Sequence, residues 1–350
     1  MVRETDPGID AVPRAVFTVQ DLPERQRYEV WSDSISCIFD VDADRETRKE
    51  GFFASVDASM FGPVMLARTS TRGQRWTRSA STMGRDGMDH YMIQLYERGG
   101  QNLSDGRVEA EQSEGDLAVY DLARPVEATT DAFTNLSLIV PRELLAESLR
   151  MPDDQHVRTL SAADPTVALL RDHMISLKNL SPRMTDAQAA AIVPATIQLA
   201  ATCLNASVRD TPGGEAGIAF AALTSARRLI EANLGEEHLT PDWLTRQLGM
   251  SRAKLYRLFE PLGGIAHYIR ERRLRRALLE LADDETRNRP IYDIALTAGF
   301  SSETAFGRAF RQRYGVTPSD VRARNASPRR RSTNPALDRR YEDWLQHLAV

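Results

Sequence analysis

The apolar positions of this 350-residue chain change their spacing several times. Between residues 25 and 39 they fall at Tyr28, Trp31, Ile35 and Ile38, the interval of one helix face, which predicts an amphipathic opening helix. From about residue 52 to 140 the pattern shortens to runs such as Val64-Met65-Leu66-Ala67, Tyr91-Met92-Ile93-Gln94-Leu95-Tyr96, Leu117-Ala118-Val119-Tyr120 and Leu136-Ser137-Leu138-Ile139-Val140. Gly99-Gly100, Asp105-Gly106 and Glu114-Gly115-Asp116 stand between runs and supply turns. Short strands at this spacing predict a small barrel or sandwich. Pro141 then opens a helix, proline being suited to the first helical position. Helical spacing returns at residues 165–180, with Leu169, Leu170, His173, Met174 and Leu177 on one side. It continues at residues 186–206, an Ala-rich stretch carrying Ile192, Val193, Ile197, Leu199 and Leu204. Such an apolar hairpin either buries itself in its own chain or pairs with a second copy, and the reading favours a homodimer. Residues 209–217 have the composition of a flexible linker.

The last third carries one pattern twice. Thr240 and Pro241 cap and start a helix with Trp243, Leu244 and Leu248 on its apolar side. Gly249-Met250-Ser251 makes a tight turn, and residues 252–260 form a second helix burying Leu255, Leu258 and Phe259. The plan recurs with a helix at residues 291–298, a turn at Gly299-Phe300-Ser301, and a helix at residues 302–311 directing Ala305, Phe306, Ala309 and Phe310 inward. Between them residues 266–281 read as one long helix with Tyr268, Ile269, Leu274, Leu278 and Leu281 on its apolar side. One helix-turn-helix is a weak signal. Two in tandem, with matched glycine turns and capping serines, predict recognition helices held one turn of DNA apart by a rigid rod.

Composition fits a globular protein, with 42% hydrophobic and 27% charged residues, and the length predicts two domains. No apolar signal core follows the start. The longest apolar stretch, residues 187–203, is interrupted by Pro194 and Gln198, short of the roughly 20 residues that span a bilayer. The expectation is a cytoplasmic protein with no membrane segment. Cys37 and Cys203 are too few for a disulfide scaffold or a structural zinc site, and read as buried, reduced thiols. The net charge of −4 conceals a division: from Phe220 onward there are 23 basic and 16 acidic residues, a surplus of +7 against −11 in the rest. A basic module joined to an acidic one points to a polyanion at the C-terminal end. All but three of the bases (Lys49, Lys178 and Lys254) are arginines, a bias that genome composition or phosphate recognition would equally produce.

Residues 220–324 resemble the AraC/XylS family of activators. The motifs are Leu255-Tyr-Arg-Leu-Phe259, Arg273-Leu-Arg-Arg-Ala277, Ile294-Ala295 with Ala298-Gly-Phe-Ser301, Phe306-Gly-Arg-Ala-Phe-Arg311 and Tyr314-Gly-Val-Thr-Pro318. The chain departs at Thr245, where the family has a small alanine. Gly115-Asp116-Leu117, Asp121, Arg124-Pro125, Leu138-Ile-Val-Pro-Arg142 and Leu144 resemble the sensor domain of one branch of the family. The resemblance implies an α+β protein with an N-terminal cupin-like β-barrel, flanking helices and a C-terminal all-α double helix-turn-helix domain. Its bounds are a sensor domain at 1–208 (barrel 52–140, dimerisation helices 165–207), a linker at 209–217, a DNA-binding domain at 218–324 and a tail at 325–350. It implies a sequence-specific regulator of transcription, an activator working with RNA polymerase and answering to a small-molecule effector.

By motif position Ala253, Tyr256 and Arg257 face base edges from the first recognition helix, and Glu303, Thr304, Gly307 and Arg308 from the second. Arginine pairs bidentately with guanine, glutamate accepts from cytosine, and methyl groups meet thymine. Ser251, Arg252, Ser301, Ser302 and Arg311 are assigned to the DNA backbone or left open between backbone and no role. Trp76, Tyr91 and Gln94 are candidates to line the effector site, each equally able to be core or surface. Arg329-Arg330-Arg331 precedes a tail at residues 335–348 whose Leu337, Tyr341, Trp344, Leu345 and Leu348 form one apolar stripe, expected as a helix docked on a domain surface. Catalysis is the rival from another class. Of His90, His156, His173, His238, His267 and His347 only His90 falls among the predicted strands, and no nucleophile motif or phosphate loop is present, so no enzyme, metal or cofactor is expected. A regulator with no small-molecule effector is the other reading.

Overall fold

The computed structural model describes residues 11–49, 51–206, 215–283, 286, 288–325 and 337–348. They divide into two compact units, one of residues 1–83, 88–207 and 331–350, the other of residues 84–87 and 208–330. The second unit is therefore built from residues 208–330 with the short insert 84–87, and residues 331–350 belong again to the first.

The first unit opens with β1 (Arg14–Thr18), α1 (Glu24–Ile35), β2 (Asp40–Asp42), α2 (Arg45–Lys49), β3 (Ala54–Phe61), β4 (Val64–Thr71) and β5 (Arg75–Arg78). After α3 (Ala80–Asp86) come β6 (His90–Arg98), β7 (Gln101–Ser104), β8 (Glu109–Gln112), β9 (Leu117–Asp121), β10 (Val126–Thr130) and β11 (Phe133–Pro141). Then follow α4 (Arg142–Ala146), β12 (Arg158–Leu160), α5 (Pro165–Leu180) and α6 (Asp186–Ala206). The strands pair antiparallel in a seven-stranded sheet, β1-β3-β4-β11-β6-β9-β12, and a five-stranded sheet, β2-β5-β10-β7-β8.

The barrel expected from the sequence is not closed. Where a barrel strand would bend, this chain breaks: residues 72–74, 99–100 and 131–132 separate β4 from β5, β6 from β7 and β10 from β11. Each break interrupts the ladder and starts a strand of the other sheet, so the two sheets stack as an open sandwich. One core, holding Trp31, Phe39, Trp76, Tyr96 and Phe133, collects residues from both sheets and from α1. A second core, holding Tyr91, Ile93, Leu136 and Leu138, lies under α4, α5 and α6. The large sheet is thus covered on both faces, and β6, β9 and β11 are buried along nearly their whole length.

The α5–α6 hairpin spends its apolar side on its own chain. Leu170, Met174 and Leu177 of α5, and Val193, Ile197, Ala200 and Leu204 of α6, belong to the second core, while Leu169 and Leu180 remain exposed. Pro194 does not interrupt α6. The helix runs 21 residues with a mean hydropathy of 1.4, long and apolar enough by length and composition to cross a membrane, contrary to the sequence expectation. Its burial in the second core accounts for that apolarity.

The second unit comprises α7 (Glu215–Ala232), α8 (Pro241–Leu248), α9 (Arg252–Phe259), α10 (Ile265–Ala282), α11 (Ile291–Thr297), α12 (Glu303–Tyr314) and α13 (Pro318–Asn325). The linker expected at 209–217 lies mostly outside the described residues, and α7 already begins at Glu215. Arg329-Arg330-Arg331 lies outside them as well. The tail helix, α14 (Arg340–His347), is shorter than the apolar stripe predicted, and docks in the first unit with Tyr341, Leu345 and Leu348 in the core between the sheets.

Candidate nucleic-acid interface and cavity

Each recognition helix is preceded by a short helix and a tight turn. Thr240 caps α8 by accepting from the Trp243 N–H at 3.2 Å, and Gly249 ends it at φ 61°, a left-handed conformation that glycine adopts without steric cost. Ser251 caps α9, its Oγ accepting from the Lys254 N–H at 3.3 Å. Thr245, the departure from the family pattern, is half-buried with its hydroxyl donating to the Asp242 carbonyl at 2.9 Å.

In the second repeat Gly299 turns at φ 82°, but the cap of α12 is Ser302, which accepts from the Ala305 N–H at 3.2 Å. Ser301, expected by the match to Ser251, is exposed one residue earlier. The second turn is one residue longer although the same bond closes both, Phe300 N–H donating to the Ala295 carbonyl at 2.9 Å as Met250 N–H does to Thr245 at 3.1 Å, and the Phe300 ring packs 5.2 Å from Phe306.

The two helices expose the faces the sequence assigned to them. On α9, Leu255 and Phe259 are buried, while Arg252, Ala253, Tyr256 and Arg257 are exposed. On α12, Phe306, Phe310 and Tyr314 recur every fourth residue and define the buried stripe. Glu303, Thr304, Arg308 and Arg311 are exposed and Gly307 is half-buried. Ala305 was expected inward and is exposed, because it sits one residue off that stripe, about 100° around the helix. A Cβ on Gly307 would meet nothing within 4 Å, so packing within the chain does not demand glycine there.

The arginines of this unit sort into two groups. Arg313 of α12 pairs with Glu271 of α10 at 2.5 Å, Arg272 of α10 pairs with Glu231 of α7, and Arg289 reaches Glu280 at 2.9 Å. Arg273 donates to the Leu234 carbonyl at 2.9 Å, and its guanidinium lies where a side chain on Gly299 would project, 2.6 Å from an added Cβ. These charges fasten α10 to its neighbours. Arg257, Arg308 and Arg311 have no carboxylate partner among the described residues, whereas Arg252 sits 3.3 Å from Asp242 with both side chains largely exposed.

Between the sheets of the first unit lies a cavity of about 70 Å³. Trp76 and Gln94 line it, together with Met92, Tyr96, Tyr120 and Asn135. Tyr91, the third candidate from the sequence, does not. Alternation along β6 sends Met92, Gln94 and Tyr96 to the cavity and Tyr91, Ile93 and Leu95 to the core on the opposite face. Tyr91 and Gln94, three residues apart in a strand, therefore cannot share a site. The polar groups at the cavity largely satisfy one another. The Gln101 amide donates to Gln94 Oε1 at 2.9 Å and to the Tyr120 hydroxyl at 2.5 Å, and Trp76 Nε1 donates to Thr130 Oγ1 at 3.3 Å. Burial pushes the Tyr96 and Tyr120 hydroxyls well above the usual phenol range, so both stay neutral.

Residues 30–205 match the AraC-binding-like domain family and residues 244–324 the helix-turn-helix domain family. The chain belongs to the AraC family of transcriptional regulators. It is 22% identical over 308 residues to the transcriptional activator NphR of Rhodococcus sp, covering 85% of this chain and 89% of NphR. The regulatory protein SoxS of Escherichia coli strain K12 is 38% identical over 91 residues, 25% of this chain and 82% of SoxS. The crystal structure of the AraC-like transcriptional activator CuxR matches with a TM-score of 0.53 at 26% identity, covering 75% of this chain and 94% of CuxR. This AraC-family protein is a DNA-binding transcription regulator and not an enzyme.

The sensor-domain signature of this AraC-family chain is structural. Arg142 pairs with Asp121 at 2.5 Å and Asp89 at 2.6 Å and lies 4.2 Å over the Tyr91 ring, tying the ends of β6, β9 and β11 together. The Tyr91 hydroxyl in turn donates to the Pro152 carbonyl at 2.6 Å. His156 closes the adjacent turn: Nδ1 accepts from the Asp121 N–H at 3.1 Å, and Nε2 donates to the Pro125 carbonyl at 3.0 Å. The bond to Nδ1 needs the neutral imidazole, and burial lowers its pKa to about 4. Asn135 and Tyr341 also line the cavity and were not expected there. A polar residue next to the apolar run of β11 was the available signal for Asn135, and the stripe that carries Tyr341 named a docked helix without naming the cavity.

Proposed function

We propose that this protein is a sequence-specific activator, a homodimer in the cytoplasm, which recruits RNA polymerase in response to a small molecule bound between the sheets of a sensor domain at 1–208. Its reading domain at 218–324 contacts base edges through Ala253, Tyr256 and Arg257 of α9 and Glu303, Thr304, Gly307 and Arg308 of α12. Ser251, Arg252, Ser301, Ser302 and Arg311 hold the sugar-phosphate backbone. The observation that carries this reading is the sorting of arginines: Arg272, Arg289 and Arg313 are matched to carboxylates within the unit, whereas Arg257 of α9 and Arg308 and Arg311 of α12 face outward with no carboxylate partner among the described residues. An exposed, unpaired guanidinium on a recognition helix is the group that pairs bidentately with guanine. The activator role is carried over from NphR, a transcriptional activator, and the effector reading rests on a mainly apolar cavity with a few convergent polar groups.

Titration of Arg257→Ala and Arg308→Ala on operator and scrambled duplexes tests the assignment. Each variant loses about 1–3 kcal/mol on operator and relaxes preference at one position. Equal losses on both duplexes would make these arginines phosphate contacts instead.

A further inference from the structure

The last helix of the chain forms part of the cavity wall. Tyr341 and Leu345 of α14 line it beside Trp76 and Asn135. The Tyr341 ring is 1% exposed, stands 5.9 Å from the Phe17 ring and pairs its hydroxyl with Ser34 Oγ at 2.7 Å. An uncharged phenol supplied by the chain itself therefore already fits this core. Polar groups anchor α14 as well: Glu342, 6% exposed, accepts from Ser34 Oγ and pairs with Arg339 at 3.1 Å. Asp338 accepts from the Val16 N–H at 3.2 Å, Arg339 pairs with Asp33 at 2.8 Å, and Arg340 donates to the Arg14 carbonyl at 2.5 Å.

Two properties of the cavity limit what it takes. Among the described residues no acidic or basic side chain lines it, so an ionised ligand would find no counter-charge there. Asn135, 2% exposed, leaves its Oδ1 without a hydrogen-bond partner, an acceptor open to a donor from outside. Size adds a third limit. A cavity that binds benzene measures about 150 Å³, roughly twice the 70 Å³ present here, so a six-membered ring needs a wall to move. Of the two described helices that line the cavity, α14 is the shorter, eight residues against twelve in α1, and its departure breaks no strand ladder.

We infer that the cavity receives a small uncharged ring compound bearing one hydroxyl or amide N–H, and that it does so by displacing α14, whose Tyr341 is a resident version of that ligand. This deepens the effector reading above and rests on it.

The test uses the full chain with p-cresol, the side-chain analogue of Tyr341, and with 4-hydroxybenzoate, which keeps the ring and hydroxyl and adds a charge. Calorimetric titration is paired with amide hydrogen exchange across residues 340–347. p-Cresol binds at least roughly 10-fold tighter than 4-hydroxybenzoate, a difference of about 1.4 kcal/mol, and speeds exchange in α14. Tyr341→Ala tightens p-cresol binding because nothing remains to be displaced, and Leu345→Trp, which fills the cavity, abolishes it. If Tyr341→Ala does not fold, Asp338→Ala with Arg340→Ala loosens the rim alone and tightens binding in the same direction. Equal binding of the two probes, or p-cresol binding with unchanged exchange in α14, overturns the inference. These readouts need no DNA. Normal binding and helix release with no change in operator titration would leave the site standing and overturn its role as the effector site.

Discussion

At the scale of single residues, the buried polar groups decide more than their number suggests. Lys178, one of three lysines, is 3% exposed on α5 and donates to Asp57 Oδ1 at 2.9 Å and Ser59 Oγ at 3.0 Å on β3. Arg14 completes the cluster at 2.8 Å from Asp57. Lys178→Ala leaves the carboxylate short of a partner, and denaturant unfolding is expected to show a loss of about 3 kcal/mol. A loss under about 0.5 kcal/mol would mean the lysine is solvated. His156 gives the pH counterpart. Its pKa falls from 6.5 unfolded to about 4 folded, so the unfolded chain takes the proton first. The stability tied to the neutral ring is complete above pH 6.5 and is lost as pH falls toward 4, by about 2 kcal/mol between pH 7 and 5. Urea midpoints at those two pH values check this, and His156→Gln flattens the slope. Neither residue was legible in advance. A lone lysine or histidine in sequence carries no sign of its partners, which come from strands and turns more than 30 residues away.

At the scale of elements, legibility followed the number of faces buried. The helix-turn-helix repeats were readable because each helix is apolar on one side only, and caps such as Thr240 and Ser251 mark their starts. The strands were readable as strands, but not their facing. β6 and β11 are covered on both sides, so the apolar run hides the alternation that separates Tyr91 from Gln94. The sheet corners, where the barrel opens into a sandwich, depend on local backbone breaks that hydropathy does not register. α12 supplies the prediction at this scale. Gly307 weakens its helix by about 1 kcal/mol relative to alanine with no crowding inside the chain to require it. Gly307→Ala is expected to raise the unfolding midpoint while weakening operator binding more than binding to scrambled DNA. Unchanged operator preference would show that no base approaches that position.

At the scale of the whole molecule, the charge division assigns the work. The acidic surplus lies in the part of the chain that builds the two-sheet unit, and the basic surplus in the part that builds the helices. The one large feature that sequence order obscured is the return of α14 to the first unit, since its stripe of Tyr341, Leu345 and Leu348 named a helix without naming the surface it would cover. The central claim is that α9, packed on the α10 rod through Phe259 and Tyr268, and α12, fastened to it by the Arg313–Glu271 ion pair, read successive major grooves on one side of a duplex. Selection of binding sequences from random duplexes by the full-length protein tests it most directly. Two blocks of base preference per site are expected, centred about 10 base pairs apart, one erased by Arg257→Ala and the other by Arg308→Ala. A single block, or one unaffected by either substitution, would contradict it.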